Sequence, residues 1–559
     1  MWRWREAESV ELLMADRLAA LRMAVNGGPR PPLSWPVTDK RTTAARAMGA
    51  LTVLLLAACT QPGLRSGSNP PGAGAAGSLP ALRREDVLWL ERTAFGLNSA
   101  TLAEFRSLGR ERYLEHQLSG ADFPLPAPVV AALAGHAELG TDPLPLLIEV
   151  EAQNRAVNAM PDGADKDQAR KARNERANQF ANEAIRGQLL RALYSPGQLR
   201  EQMVWFWLNH FSVHQHKANL RWLIGDYAEH AIRPHALGHF RDLVLATLEH
   251  PAMLEYLDNR QNALGHINEN YARELMELHT LGVQGGYNQQ DVQQLARVLT
   301  GVGIDLGNAP RLKPDLQRFY VRAGAFEFNP ARHDFGPKAL LGSPLEQQGF
   351  AEVEEAVTRI VKQPACARFI SRKLAIYFVA DEPPPQLIER MAQTFQRTDG
   401  DIAAVLRTLF QSRELNAALG GKFKDPTRFV LSAVRFAYDG RTITNTRPLL
   451  NWLNGLGEGP FGRQTPDGYA MTEISWASSG QMSRRFEIAK SIGSGNAGLF
   501  DGDEGAAGPG GGFPQLSNRL YFEAVEPFLS ADTRSALARA ATPQEWNTFL
   551  LASPEFNYE

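Results

Sequence analysis

From residue 80 onward the apolar residues of this chain recur with helical spacing, and that periodicity excludes most other ways of building a core. "REDVLWLERTAFG" and "ATLAEFRSLGRERYLEHQL" open the pattern. Leu-rich segments with a roughly 3.6-residue repeat continue it, and β-branched alternation is scarce. At 559 residues the chain has ample apolar content for a large core and length for more than one domain. The expected fold class is mainly α: a multi-helix globular domain with one small β-hairpin element around 319–341 and long Gly-rich loops. "RFYVRAGAFEFNP" reads as two short strands around Ala323-Gly324, with "KALLG" a possible third. The charged, Ala-rich residues 150–190 suggest a long exposed helix running into a buried one. "NGLGEGPFGRQTPDGYAMTEISW" reads as a Gly-rich loop before a helix at 480–492, and 493–513 as low-complexity glycine.

The N-terminus carries a different signal. "KRTTAARAMGALTVLLLAAC" places Lys40, Arg41 and Arg46 before an apolar run from Met48 to Ala58 that ends at Cys59. A positive segment followed by a short apolar one reads as an export signal, too short to span a bilayer. The ending Leu56-Ala57-Ala58-Cys59 resembles the bacterial lipobox, in which the cysteine is acylated and becomes the mature N-terminus. Thr60 behind it favours outer-membrane sorting in a Gram-negative host. The expected organisation is a signal region at 1–58, a flexible Pro/Gly/Ser-rich tether at 59–79, and a main helical domain at 80–440. A C-terminal loop-rich and helical part, 441–559, is expected to pack on that domain. Residues 1–39 are unusually long for a signal, and a true start at Met23 would explain them. The other cysteine, Cys366, lies on an apolar helix and reads as buried and inert.

Net charge is −2, and no Lys/Arg run alternates with aromatics, which argues against nucleic acid as a partner. "GSGNAG" at 493–498 matches G-x-G-x-x-G but follows a charged helix rather than a strand, so it is not a dinucleotide site. "DGDEG" at 501–505 lacks calcium-loop spacing. Neither G-x-S-x-G nor H-E-x-x-H occurs.

Three stretches concentrate polar groups within apolar surroundings. In "NENYARELMELHTLG", 268–282, Glu269, Arg273 and Glu277 stand at i, i+4 and i+8, so one guanidinium can be clamped by two carboxylates. Glu274 flanks them, and more than half the circumference is apolar, which suggests burial on two sides. Gly282 supplies a C-cap and leaves His279 in the last turn, where the dipole favours its charged form. The bland reading is a buried ion-pair strut; the sharper one is a functional cluster. In "MVWFWLNHFSVHQHK", His210 and His214 stand at i, i+4, a spacing able to chelate a metal if the helix continues past Ser212. Asn209-His210 as a polar pair at a cleft is the competing reading, and a satisfied core histidine the bland one. In "ARHDFGPKALLG", His333-Asp334 precede a Gly-Pro turn: an Asx-turn with a surface histidine, or the rim of a site with Lys338 supplying charge.

Together with "LERTAFG", "HPAMLEYLDN", "VQQLARVLTG" and "FISRKLAIYFV", these stretches resemble, in order and across nearly the whole mature chain, the bacterial domain-of-unknown-function 1800 family. Tyr469 stands where that family's Pro/Gly/Trp loop often has Trp. The resemblance implies an exported, predominantly helical protein whose genes often neighbour those of a sulfatase-like family. It implies no reaction.

Two functions stay open. One is an exported hydrolase or lyase-like enzyme acting on envelope or extracellular polymer, with Asn209, His210, Glu269, Arg273, Glu274, His333 and Asp334 as candidate catalytic groups around one cavity. The other is a non-catalytic scaffold or binding partner of an exported sulfatase-like protein. No cofactor is required by either, and a divalent metal remains possible. The expected location is the cell envelope, lipid-anchored through Cys59.

Overall fold

Every residue of the helix Gln198–His210 is buried or partly buried, so the protein surrounds it on all sides. The computed structural model describes residues 82–134, 142–501 and 513–559. Helices Arg84–Thr93, Ser99–Leu118 and Ala164–Tyr194 pack on this central element, as does a π-helical turn at Tyr227–Ile232. The Trp207 indole donates to the carbonyl of Ala236 at 3.0 Å, and the Tyr227 hydroxyl to that of Phe211 at 2.9 Å. The expected exposed helix running into a buried one divides elsewhere: Pro143–Ala159 is followed by Ala164–Tyr194, which is exposed at first and, Lys166 apart, has its buried residues from Ala177 onward. The helices Pro364–Phe378, Pro385–Arg397 and Ile402–Phe410 form one further layer. Pro426–Ala437, Ser479–Gly493 and Pro543–Leu551 form another.

Buried arginines tie these layers through main-chain carbonyls. Arg92 donates to Phe378 and Glu559, each at 2.5 Å, and Arg485 to Lys424 at 2.7 Å. Arg435 reaches Leu193 and, at 3.3 Å, Gly96. A guanidinium can satisfy several carbonyls at once, which is why helix ends that would otherwise be unsatisfied meet at these side chains.

The hairpin forms as Val321–Ala323 against Phe326–Phe328, with Ala323 opposite Phe326. Its third strand is Val302–Ile304, on the other edge of Phe326–Phe328. The "KALLG" segment does not join it: Ala339–Leu340 pairs with Ser343–Pro344 instead. The reason is the turn between them. Leu341 and Gly342 both have positive φ (52° and 79°), the signature of a two-residue type I′ hairpin, and that folds the strand back on its own neighbour.

The stretch 268–282 departs from regular α geometry. Asn270–Glu274 is α-helical, but Leu275–Thr280 is wound as a π-helical turn, with the Leu281 amide bonded to the Met276 carbonyl five residues back at 2.8 Å. Ile267, just before the stretch, precedes the helix and is 43% exposed.

The signal region, the tether and the lipid-anchor residue Cys59 lie outside the described residues. No described helix is long and apolar enough to cross a membrane.

Candidate functional site

The central helix ends at His210 because Phe211 leaves helical geometry (φ −98°, ψ 53°). Its last two side chains diverge from there. Asn209 clasps the Gly-rich loop 456–472: its amide donates to the Tyr469 carbonyl at 3.0 Å, and the Tyr469 amide donates to its Oδ1 at 2.6 Å. The fit depends on Gly468, whose φ is +76° and whose missing Cβ would collide with the Asn209 carbonyl. Gln215 donates to the Pro460 carbonyl at 3.1 Å, the Tyr256 hydroxyl to that of Gln464 at 2.9 Å, and Lys422 to that of Met471 at 2.6 Å. A loop rich in glycine and proline is thereby held by side chains from two helices, Asn209 and Tyr256, and from two irregular segments, Gln215 and Lys422.

Beneath it lies a cavity of about 60 Å³ lined in part by Trp205, Asn209, Tyr377, Glu458, Arg463 and Tyr469. Glu458 accepts from the Thr427 amide at 2.8 Å and hydroxyl at 2.9 Å. Burial, together with neighbouring Asp425, pushes its carboxyl well above the usual range.

His210 turns the other way. Its Nε2–H donates to the His279 carbonyl at 2.9 Å, which fixes the tautomer and leaves Nδ1 as an acceptor. Lys373, on Pro364–Phe378, donates to that Nδ1 at 2.8 Å. Burial among Phe206, Phe211, Phe240 and Phe369, aided by the Lys373 charge, holds the imidazole well below its ordinary pKa, so it is neutral. Lys373 is itself lowered to about 8 by burial, against the opposing pull of Asp467.

His279 does not take the charged form expected from its place near a helix end. It is 0% exposed, its ring lies 5.0 Å from that of Phe211, and burial lowers its pKa to about 3. Neither ring nitrogen has a hydrogen-bond partner. Desolvation outweighs a helix dipole, because the dipole contributes only a fraction of what burying an imidazolium costs.

Glu274 lies close enough to Asp467 to feel its charge; burial first, and then Glu277, raise its carboxyl. Asp467 itself pairs with Arg463 at 2.7 Å and accepts from the Thr465 hydroxyl at 2.5 Å. Asp467 therefore links Lys373 and Glu274 electrostatically, from the loop that Asn209 holds.

The Glu269–Arg273–Glu277 clamp does not form. Arg273 pairs with Glu269 at 3.1 Å and with Gln289 at 2.9 Å, and the π-helical turn displaces Glu277 from their line. Side-chain exposures of 41% for Arg273 and 33% for Glu269 make this a hydrated pair rather than a buried strut. His214 lies beyond the helix end, so the i, i+4 geometry with His210 is lost; its ring packs against His216 at 5.3 Å. Among the described residues no group of three or more His, Cys, Asp or Glu is arranged to hold a metal.

His333 and Asp334 belong to another cluster. His333 Nδ1 meets the Thr300 carbonyl at 2.8 Å and Nε2 meets Glu352 at 3.1 Å; Lys338 reaches the same carboxylate at 2.9 Å. His333 is buried, not at the surface. Asp334 binds Arg297 at 2.7 Å and closes the expected Asx-turn on the Gly336 amide at 2.8 Å; Arg297 holds its carboxyl below the usual range. The hydrogen bonds of this cluster close among Thr300, Asp334, Lys338 and Glu352, and those of His210 close on His279 and Lys373.

Lys373, Glu458 and Asp467 were not singled out from the sequence. Lys373 had a legible cue: with Cys366, Ile370 and Tyr377 it falls at i, i+4, i+7 and i+11, a lysine on the arc of a buried helix face. Nothing local marks Asp467, which acts through a loop contact 94 residues away in sequence.

No curated protein and no solved structure matches this chain. The family model described as protein of unknown function (DUF1800) matches residues 88–558, and the chain, with its helical architecture, belongs to that family.

Proposed function

We propose that this chain is an exported enzyme that transfers protons on an envelope or extracellular polymer, as a hydrolase or lyase-like catalyst. The groups of this site come from the helix Pro364–Phe378, the segment 270–280 and the loop 456–472, whose Asp467 interacts electrostatically with both Lys373 and Glu274. Lys373 exchanges the proton, Glu274 serves as the acid, and His210 is a positioning residue that holds the Lys373 amine. One observation carries this reading: among the described residues Lys373, whose amine lies against the Phe369 ring, makes no ion pair with a carboxylate. Lys166, Lys338, Lys422 and Lys424 are each buried and each has a carboxylate within 3.5 Å, at Asp162, Glu352, Asp381 and Glu91. Lys373 rests on a neutral imidazole instead. A structural lysine is stabilised by a counter-ion in contact with it; a lysine without one, in a cluster with a carboxyl that burial raises above its ordinary range, is arranged for acid–base work.

In this reading Cys59 carries the lipid and holds the enzyme at the envelope, where a sulfatase-like protein would act on the same polymer. Cys59→Ser then moves the protein from the membrane to the soluble fraction on ultracentrifugation. The catalytic test is a screen of the purified protein against envelope glycans, with and without chelator. Lys373→Met and Glu274→Gln should each lower turnover about 10²- to 10⁴-fold with unchanged far-UV circular dichroism. Full activity in either variant would refute the assignment.

The second reading, a non-catalytic scaffold for the sulfatase-like partner, draws on the cluster at His333, whose polar groups are all occupied by one another. Co-purification with such a partner, combined with no turnover on any glycan, would favour it.

A further inference from the structure

The hydrogen bonds around the amine of Lys373 determine which way its lone pair points. The Nε2–H of His210 is committed to the His279 carbonyl at 2.9 Å, so Nδ1 carries no proton and accepts one N–H of Lys373 at 2.8 Å. With that N–H directed at the ring, the nitrogen lone pair faces away from it. The Phe369 ring lies 5.6 Å from the amine, and the residue as a whole is partly exposed. Among the described residues Lys373 makes no ion pair, in contrast to the lysines that serve as struts. Burial that lowers the ammonium to about 8 leaves a substantial fraction as free amine at pH 7.5.

We infer that Lys373 captures a carbonyl group, forming an imine with an aldehyde- or ketone-bearing substrate such as the open-chain reducing end of a sugar. The inference rests on the acid–base site proposed above. In the step, the Lys373 nitrogen lone pair attacks the carbonyl carbon, and the C=O π pair moves to oxygen, which takes a proton. The carbinolamine hydroxyl then leaves as water after protonation by an acid, the role the proposed reading gives to Glu274. One nitrogen proton is lost to solvent on attack, and the C=N bond forms as a protonated imine. No oxidant or reductant is consumed, and hydrolysis reverses the step. A desolvated lysine in an apolar pocket is a known form of activated amine nucleophile.

Reductive trapping tests this. The full chain is incubated with glycolaldehyde and sodium cyanoborohydride at pH 7.5, and adducts are mapped by peptide mass spectrometry. Lys373 should be labelled about tenfold faster than Lys171, whose side chain is 78% exposed. Lys373→Arg, which keeps the charge, should abolish only that adduct. Labelling of Lys373 no faster than Lys171 overturns the inference. If no adduct forms yet Lys373→Arg abolishes turnover, the proton-transfer reading stands and the imine falls. If the adduct forms while turnover of glycans survives Lys373→Arg, the amine site stands and the proton-transfer reading falls.

Discussion

Two clusters in this protein are built from the same residue types and reach opposite electrostatic outcomes. At His333, a buried histidine and the buried Lys338 share Glu352, and the histidine's other nitrogen meets the Thr300 carbonyl. At His210, a buried histidine and Lys373 share no carboxylate, and the adjoining His279 has two unpartnered nitrogens. The first arrangement satisfies every charge internally and has nothing left to offer a ligand. The second keeps a lysine without an ion-pair partner and two neutral imidazoles in an apolar setting, at a standing cost in stability. Such unresolved costs mark sites where function, rather than packing, determines the residue.

The comparison is most exposed to disproof at Glu352. Glu352→Ala leaves the Lys338 charge buried without a partner and should cost roughly 3–5 kcal/mol in chemical denaturation. A loss below about 1 kcal/mol would show that this cluster is no strut. The His210 cluster should respond with the opposite sign. His279 binds a proton in the unfolded chain near its ordinary pKa of 6.5 but in the folded protein only near 3. Its contribution is therefore intact above pH 6.5, and stability falls as pH drops from 6.5 toward 3, by up to about 4 kcal/mol. His279→Phe should flatten that part of the stability–pH curve; an unchanged curve would place the ring in water.

Lys373 gives a smaller and distinct signature. Its folded-state pKa of about 8 lies below the ordinary 10.5, so the folded protein sheds the proton first. The cost is present in full below pH 8 and is relieved as pH rises from 8 to 10.5. Lys373→Met should accordingly stabilise the protein at pH 7 by about 2 kcal/mol, allowing for its partial hydration. A destabilised Lys373→Met would mean that the lysine is a structural partner after all. Gly468→Ala should disturb the clasp between Asn209 and Tyr469 by about 1–2 kcal/mol, because it forces a Cβ into a left-handed position against the Asn209 carbonyl. Faster proteolytic cleavage within 456–472 is the readout, and wild-type resistance would refute the clasp. The smallest effect belongs to Arg273→Ala: a half-exposed i, i+4 pair contributes under about 1 kcal/mol. A loss of 3 kcal/mol would restore the buried strut suggested by the spacing.

Much of the fold was legible because helical periodicity is a local property. The hairpin at Ala323-Gly324, the C-cap at Gly282, the buried Cys366 and the Asx-turn at Asp334 all follow from residues within a few positions of one another. The reading failed where one extra residue entered a helical turn. A constant 100° step predicted the Glu269–Arg273–Glu277 clamp, and the π-helical turn at Leu275–Thr280 removed it. It failed again at His214, because the helix stops at His210 for reasons of packing that no capping residue announces.

The sequence by itself determined the helical class, the family and the sorting of apolar residues inward, since each depends on spacing along one chain. It also marked His210 and Glu274 as polar groups in apolar company. Only the tertiary structure decided their roles. Lys373 comes from a helix 163 residues beyond His210, Asp467 from a loop still further on, and the neutral state of both histidines from burial by aromatics of several elements. Charge state depends on the surrounding dielectric and on partners in space, and neither is a function of sequence distance.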